Sequence, residues 1–373
     1  MELNEIFEYL YHEKSIILTG AGISQSSGIP TFRCNENGIF NQSIDKNSNS
    51  TITSKRKGNG IKLKGKDLFD VSILQTNPEI FAQFINQLHT KIQTCKPSLT
   101  HKFIQNLIDN GKCIRNYTQN IDSLELNHCN NNIDKIIQLH GNINNLKCNK
   151  CNTIITSNWN NPINYKEIFA NGIFPECPEC LNFQKLRLLQ GKRSKSFITG
   201  ILKPDILLYG EFNHELTLNF INCFQKDLLQ TPKILLIMGT SLKVYGIKNL
   251  IKEFKSKINQ GKIILINKER LNNSIWNKLI DEQIIMETDE FVKKFNNWKE
   301  DLINHNSQYL NTPPSTPSIQ KINNININNI NSNTKRKLMI TPESTPKKKV
   351  KPLNNDESPL NKNGRNILKQ LKI

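Results

Sequence analysis

Three groups of residues in this chain have types and spacings suited to chemistry. The first is the turn Gly20-Ala21-Gly22-Ile23-Ser24, which follows the apolar run Ser15-Ile16-Ile17-Leu18-Thr19 and leads on to Gly28-Ile29-Pro30-Thr31-Phe32-Arg33. A buried strand that stops at glycines and turns into a helix start aims free backbone N–H groups and a positive dipole end at an anion. A dinucleotide pyrophosphate suits such a turn. The second group is Gln119-Asn120-Ile121-Asp122 together with His140-Gly141. Two amides and a carboxylate supply the donors and acceptors that a ribose and a carboxamide need. An imidazole at a strand end, followed by a glycine that lets substrate approach, is placed as a general base. The third is the pair Cys148-Asn149-Lys150-Cys151 and Cys177-Pro178-Glu179-Cys180, with 25 residues between them. Four thiolates close the shell of a tetrahedral zinc and leave no position for water, so one structural Zn2+ is expected.

Each group also has a blander reading. The glycine turn alone fits ordinary strand–turn–helix packing, and the dinucleotide fingerprint lacks its third glycine, because Gln25 stands there. The segment after Ser24 therefore reads as a lid that brings Phe32 and Arg33 to the ligand. A lone histidine is more often structural than catalytic, but His140 falls in step with the other strand ends. The two CxxC pairs could be redox sites, yet neither follows the strand–helix junction that a thioredoxin-like site requires.

These residues need a frame. Apolar runs predict strands at 15–19, 112–118, 133–139, 233–238 and 262–266, with a further one at 283–286, and in open α/β sheets ligands gather at the carboxyl ends of strands. Gly239-Thr240-Ser241-Leu242 and Asn267-Lys268-Glu269 end two of them. Leu3, Ile6, Phe7 and Leu10 predict a short amphipathic helix, and helical spacing recurs over 78–92, 97–107 and 289–302. His101 reads as a capping or packing residue. The stretch Lys203-Pro204-Asp205-Ile206-Leu207-Leu208-Tyr209-Gly210-Glu211 is extended and could pair edge-on with a peptide. The fold class is α/β.

Composition sets the bounds. The chain has 373 residues, a formal net charge of +18 and nine cysteines. The last 63 residues, Asn311–Ile373, hold 12 Lys and Arg against 3 Asp and Glu, so half of the excess charge lies there. An odd cysteine count and a non-basic start argue for a reducing compartment, and no apolar run of membrane-spanning length occurs. From about His305 the chain is rich in Asn, Ser, Thr, Pro and Lys, a composition expected to stay disordered. Lys335-Arg336-Lys337 and Lys347-Lys348-Lys349-Val350-Lys351 read as a nuclear address for an import receptor. Thr341-Pro342 and Thr345-Pro346 read as sites for a proline-directed kinase, whose phosphates would weaken the adjoining basic cluster.

Over roughly residues 10–300 the chain resembles the sirtuins, the NAD-dependent protein deacylases. The resemblance is carried by Gly20-Ala21-Gly22-Ile23-Ser24, Gly28-Ile29-Pro30 with Phe32-Arg33, Thr118-Gln119-Asn120-Ile121-Asp122, His140-Gly141, the four cysteines, Tyr209-Gly210-Glu211, Gly239-Thr240-Ser241-Leu242 and Asn267, all in the family's order. The wording of 64–70, 207–211 and 239–248 looks most like the fungal-type nuclear branch that acts on histone H3. The resemblance implies a Rossmann-like parallel sheet plus a smaller zinc-ribbon and helical domain, with a disordered C-terminal tail. The catalytic domain would span 1–304, its small part drawn from about 41–97 and 141–202 with the ribbon at 148–180, and the tail 305–373.

The resemblance also implies site roles. His140 would act as base, with Asn120, Asp122 and Arg33 beside it. NAD would lie against Gly20, Ala21, Gly22, Ile23, Phe32, Arg33, Gln119, Asn120, Ile121, Asp122, Gly239, Thr240, Ser241, Asn267 and Lys268. An acetylated lysine peptide of histone or other chromatin protein would meet Leu207, Tyr209, Gly210 and Glu211. The implied protein is a deacetylase of the nucleus, or of nucleus and cytoplasm both, with no membrane partner, that passes the acetyl group to ADP-ribose. One position departs from the family: Thr31 stands where the family has Asp, which loses a charge able to order Arg33. Alternatives in keeping with the sequence are a chromatin-binding protein with weak turnover, a deacylase of other acyl preference, or an ADP-ribosyltransferase.

Overall fold

The computed structural model describes residues 1–30, 65–126, 132–156, 159, 163–191, 199–211, 213–244, 246–258, 261–272 and 274–310. The expectations placed on Thr31, Phe32, Arg33, the polar stretch to residue 64 and the basic tail fall outside them. Among the described residues nine strands follow in chain order: β1 Ser15–Thr19, β2 Cys113–Thr118, β3 Ile136–Gln138, β4 Gly141–Cys148, β5 Ile154–Ile155, β6 Leu202–Ile206, β7 Ile234–Met238, β8 Lys262–Asn267 and β9 Glu282–Ile285. Six of them form one parallel sheet in the order β3-β2-β1-β7-β8-β9. The remaining three form an antiparallel sheet in the order β5-β4-β6.

The large sheet is buried on both faces, which is why its central strands are almost wholly apolar. One face of the sheet, through Ile17, Leu236 and Ile264, packs on Ile6, Phe7 and Leu10 of the helix Leu3–His12, on Phe103 and Ile104 of Leu99–Asp109, and on Phe291 and Phe295 of Thr288–Leu310. The other, through Ile16, Leu18, Leu235 and Leu265, packs on Phe220 and Phe224 of His214–Leu228 and on Leu250 and Phe254 of Ile247–Lys257. Each such buried side chain contributes roughly 1.5–3 kcal/mol. A third core joins the small sheet, through Ile143, Leu146 and Leu202, to Phe81, Ile85 and Leu88 of the helix Pro78–Gln93.

The strand order reverses between β1 and β7, and at such a switch point a crevice opens beyond the carboxyl ends of the strands. Three expectations change in detail. The helix start after Gly22 is a single 3-10 turn, Ala21–Ser24, closed by Ile23 N–H to the Gly20 carbonyl. The strand expected over 133–139 shortens to 136–138, since Ile133 is 58% exposed and 133–135 make a 3-10 turn. The last helix runs on to Leu310.

Candidate active site

The turn after β1 and the turn after β7 meet backbone to backbone. Gly22 N–H donates to the Gly239 carbonyl at 2.8 Å, and Gly20 N–H to the Met238 carbonyl at 3.1 Å. A Cβ on Gly20 would lie 2.7 Å from Thr240 Cβ, one on Gly22 2.7 Å from Gly239 Cα, and one on Gly239 2.6 Å from the Ile23 nitrogen. The glycines are therefore required for the close approach of the two turns. Their N–H groups are spent on carbonyls, so the expectation of free donors at these glycines gives way to another arrangement. Ala21, Thr240 and Ser241 line a cavity of about 540 Å³ beside the turn, a size suited to a cofactor. A four-residue 3-10 turn also contributes little dipole.

Across the cavity stand the residues that follow β2. The Gln119 side-chain amide donates to the Thr19 carbonyl at 3.2 Å and to Thr240 Oγ1 at 3.1 Å, which ties β2 across β1 to the turn after β7. Asn120 Nδ2 donates to Ser24 Oγ at 3.2 Å, and Ser24 Oγ donates to Asp122 Oδ2 at 2.7 Å. Asp122 Oδ1 accepts the Leu124 N–H at 3.1 Å. Asp122 is buried behind Asn120, and burial pushes its carboxyl up while the Leu124 and Ser24 donors pull it back. It acts on the cavity through Ser24 and Asn120. Ser24 is thus a site residue to which the sequence assigned no role beyond its place in the motif. Ile121 lines the cavity, whereas Ile23 is fully buried in the core below it.

His140 lies just beyond β3 and lines the same cavity. Its Nδ1 is 2.8 Å from the Gln119 carbonyl. A carbonyl only accepts, so Nδ1 carries the hydrogen and Nε2 presents its lone pair. Burial lowers the pKa of His140, opposed by the Gln119 carbonyl, and this keeps the ring neutral. The expected purpose of Gly141 changes. Its φ is +80°, and a Cβ there would lie 2.1 Å from the Asp205 carbonyl of β6, so the glycine admits the neighbouring strand, not the substrate.

The far walls are formed by the other predicted residues. Leu207, Tyr209, Gly210 and Glu211 line the cavity beyond β6. Leu207 N–H donates to the His140 carbonyl at 2.9 Å, Tyr209 N–H to Phe69 at 2.7 Å, and Val71 N–H to the Tyr209 carbonyl at 2.9 Å. Glu211 pairs with Lys203 at 2.9 Å and accepts the Leu208 N–H at 3.1 Å, which fixes this stretch beside His140. Asn267 and Lys268 close the other end; Asn267 Nδ2 donates to the Glu269 carbonyl at 2.8 Å, and Lys268 pairs with Glu287 at 3.1 Å.

The four cysteines converge at the opposite end of β4. Their sulfurs lie within 4.8 Å of one another, with Cys148 to Cys180 at 3.8 Å and Cys151 to Cys177 at 3.6 Å. Zn–S bonds of about 2.3 Å give a tetrahedral S···S edge of roughly 3.8 Å, so the set fits zinc. Backbone N–H groups of Lys150 and Cys151 point at Cys148 Sγ, both at 3.4 Å, as a thiolate requires.

The model of the Sir2 family matches residues 20–246, which include the glycine turns, His140 and all four cysteines. The chain belongs to the Sir2 family. This sirtuin is 36% identical over 315 residues to the NAD-dependent histone deacetylase HST3 of Candida albicans, a match covering 79% of this chain and 61% of that relative. It is 34% identical over 379 residues to the protein of the same name from Saccharomyces cerevisiae, covering 88% and 81%. A solved Sir2 structure with p53 peptide and NAD+ shares the fold of this sirtuin at a TM-score of 0.57 and 22% identity, covering 81% of this chain and 100% of that one. Among the described residues no helix is long and apolar enough to cross a membrane.

Proposed function

We propose that this sirtuin is an NAD-dependent protein lysine deacetylase whose substrates are histones or other chromatin proteins. The observation that carries the reading is His140, whose Nδ1–H is held by the Gln119 carbonyl so that a neutral Nε2 faces the cavity shared with Asn120 and the glycine turns. When bound, NAD supplies a nicotinamide–ribose bond whose cleavage leaves ADP-ribose to accept the acyl group. Ala21, Thr240 and Ser241 would take its phosphate and ribose end, with Asn267 and Lys268 beyond. The Asn120 amide, braced by Ser24 and Asp122, would orient the carboxamide. His140 Nε2 would accept the proton of a ribose hydroxyl. The acetyl-lysine would enter along Leu207–Glu211, beside the base.

The two relatives named above are histone deacetylases by name, which supports the histone reading; the chain spans 61% of the length of the first and 81% of the second. The proposal includes nuclear localisation through the two basic clusters, the division of the chain near residue 304, and the places of Phe32 and Arg33 in the lid. The test is a panel of acyl-lysine histone peptides incubated with NAD. Nicotinamide release by wild type, strongest with acetyl peptides and lost in His140→Ala while NAD still binds, is the expected result. No release by wild type, or full activity in His140→Ala, would overturn it.

A further inference from the structure

Behind the Asn120 wall lies a group that the proposed chemistry leaves without a task. His101, Asp122 and Glu125 are all buried and offer side-chain atoms within 4.8 Å of one another. Such a trio invites a reading as a cation site, but the ring of His101 decides otherwise. Ser98 N–H donates to His101 Nδ1 at 3.1 Å and the Ser98 hydroxyl turns to the same nitrogen at 2.8 Å, so Nδ1 holds the lone pair and Nε2 the hydrogen. Nε2 is turned toward Ser24, 3.5 Å from its Oγ. It is a donor to this group and not a metal ligand.

The two carboxyl groups are served unequally. Asp122 accepts from Ser24 Oγ at 2.7 Å and from Leu124 N–H at 3.1 Å. Glu125 Oε1 accepts from Thr118 Oγ1 at 2.6 Å, while its Oε2 is buried with no hydrogen-bond partner among the described residues. Two adjacent buried carboxylates cannot both ionise cheaply, and the better-served one keeps the charge. The proton therefore rests on Glu125. Both acids reach the same residue: Asn120 Nδ2 donates to Ser24 Oγ, which donates to Asp122, and Asn120 N–H donates at 3.1 Å to Thr118 Oγ1, which donates to Glu125.

We propose that Glu125 is a positioning residue for the reaction, acting in its protonated form: it fixes Asn120 through Thr118 and leaves Asp122 as the sole charge bracing Ser24. This rests on the deacetylase reading for its task, and on the geometry alone for its existence. Burial, and next the charge of Asp122, push the Glu125 carboxyl up to about 8. The titratable groups facing it are Asp122 of its own loop and His101 of the helix Leu99–Asp109; β1 and β2 contribute the uncharged Thr19 and Thr118. Above that pH a second buried charge arises beside Asp122, and the brace on Asn120 loosens.

The experiment compares wild type, Glu125→Gln and Glu125→Ala in the full chain, following NAD affinity by calorimetry and nicotinamide release with an acetyl-lysine peptide from about pH 6.5 to about 9.5. Glutamine mimics the protonated acid at every pH. Wild type is expected to weaken more than threefold above pH about 8 in both readouts, and Glu125→Gln to lack this alkaline fall. Glu125→Ala is expected to lose about tenfold or more throughout, with Glu125→Gln recovering most of that loss. An alkaline fall in Glu125→Gln equal to that of wild type, or wild-type behaviour of Glu125→Ala, would overturn the proposal. Should Glu125→Ala fail to fold, the pH contrast between the other two decides. Should wild type bind NAD but release no nicotinamide, the deacetylase reading falls, and the pH dependence of NAD affinity still tests Glu125.

Discussion

Gly22→Ala tests whether the two turns of the site are one mechanical unit. The added Cβ would sit 2.7 Å from Gly239 Cα, 2.8 Å from the Gly239 oxygen and 3.0 Å from its carbonyl carbon, where ordinary contact begins near 3.4 Å. All three atoms are backbone, so no side chain can swing away, and the turns must part by about 0.7 Å. That motion breaks or lengthens the 2.8 Å hydrogen bond from Gly22 N–H to Gly239. Overpacking costs about 1–3 kcal/mol and the lost bond about 1 kcal/mol. Together they lower stability by about 3 kcal/mol, or a Tm fall of roughly 4–6 °C in a chain of this size. The same displacement carries Ala21 and Thr240 away from the ligand, so the KM for NAD rises as well. Gly28→Ala is the control: its φ of +88° gives backbone strain, but nothing lies within 4 Å of the added Cβ. It should cost only about 1–2 kcal/mol and leave the KM for NAD unchanged. Thermal denaturation and NAD titration of both variants check this. A Gly22→Ala protein as stable as wild type, or less affected than Gly28→Ala, would refute the account.

His140 yields a pH expectation: the reactive form is the neutral ring, its pKa is lowered by burial, and the acid limb of kcat/KM therefore lies below the 6.5 of a free imidazole. A midpoint at or above pH 7 would count against that role. Metal analysis should find one zinc per chain, and Cys180→Ser should lose it and lower Tm together with activity; activity preserved without zinc would contradict a coupling of the metal to His140 through β4. Asp227 is fully buried beneath the sheet, where Arg115 Nε at 2.6 Å and Tyr117 OH at 2.5 Å both donate to it. Asp227→Ala strands both partners and should cost about 3–5 kcal/mol by chemical denaturation; a loss under about 1 kcal/mol would show that the pair is idle.

The parts of this fold that were legible in the sequence share one physical property. β1, β7 and β8 lie in the middle of a sheet covered on both faces, so the chain must be apolar at nearly every position and the run is conspicuous. The helix Ile247–Lys257 was legible in principle, because Ile247, Leu250, Ile251 and Phe254 follow its period. The helix Pro178–Leu189 was not, since Phe183, Leu186 and Leu189 are 51%, 57% and 84% exposed and mark no buried stripe. β4 was hidden for another reason: its pairing with β6 shifts register between Asn142 and Leu146, which breaks the alternation a strand should show. In the site, residue types revealed His140, Asn120 and the cysteines. The bond from Ser24 to Asp122 spans 98 positions, and no local pattern encodes it.

β4 also explains why the cysteine cluster and the proposed base belong to one device. The strand begins at Gly141, next to His140, and ends at Cys148, the first zinc ligand. Eight residues at about 3.3 Å each separate the two by roughly 25 Å. β6 runs beside it, pairing Leu202 with Cys148 at the metal end and Ile206 with Gly141 at the base end. Beyond β6, Leu207 N–H returns to the His140 carbonyl, so the substrate-side wall and the base hang from the same pair of strands. A small sheet whose third strand, β5, is only two residues long and whose main pair has a broken register is marginal by itself. Closing its far end on zinc, with Gly200 so close that a Cβ there would lie 2.4 Å from Cys148 Sγ, fixes the register of β4 on β6. The metal therefore sets where His140 stands without touching the reaction, and its loss should be felt at the base before the parallel sheet unfolds.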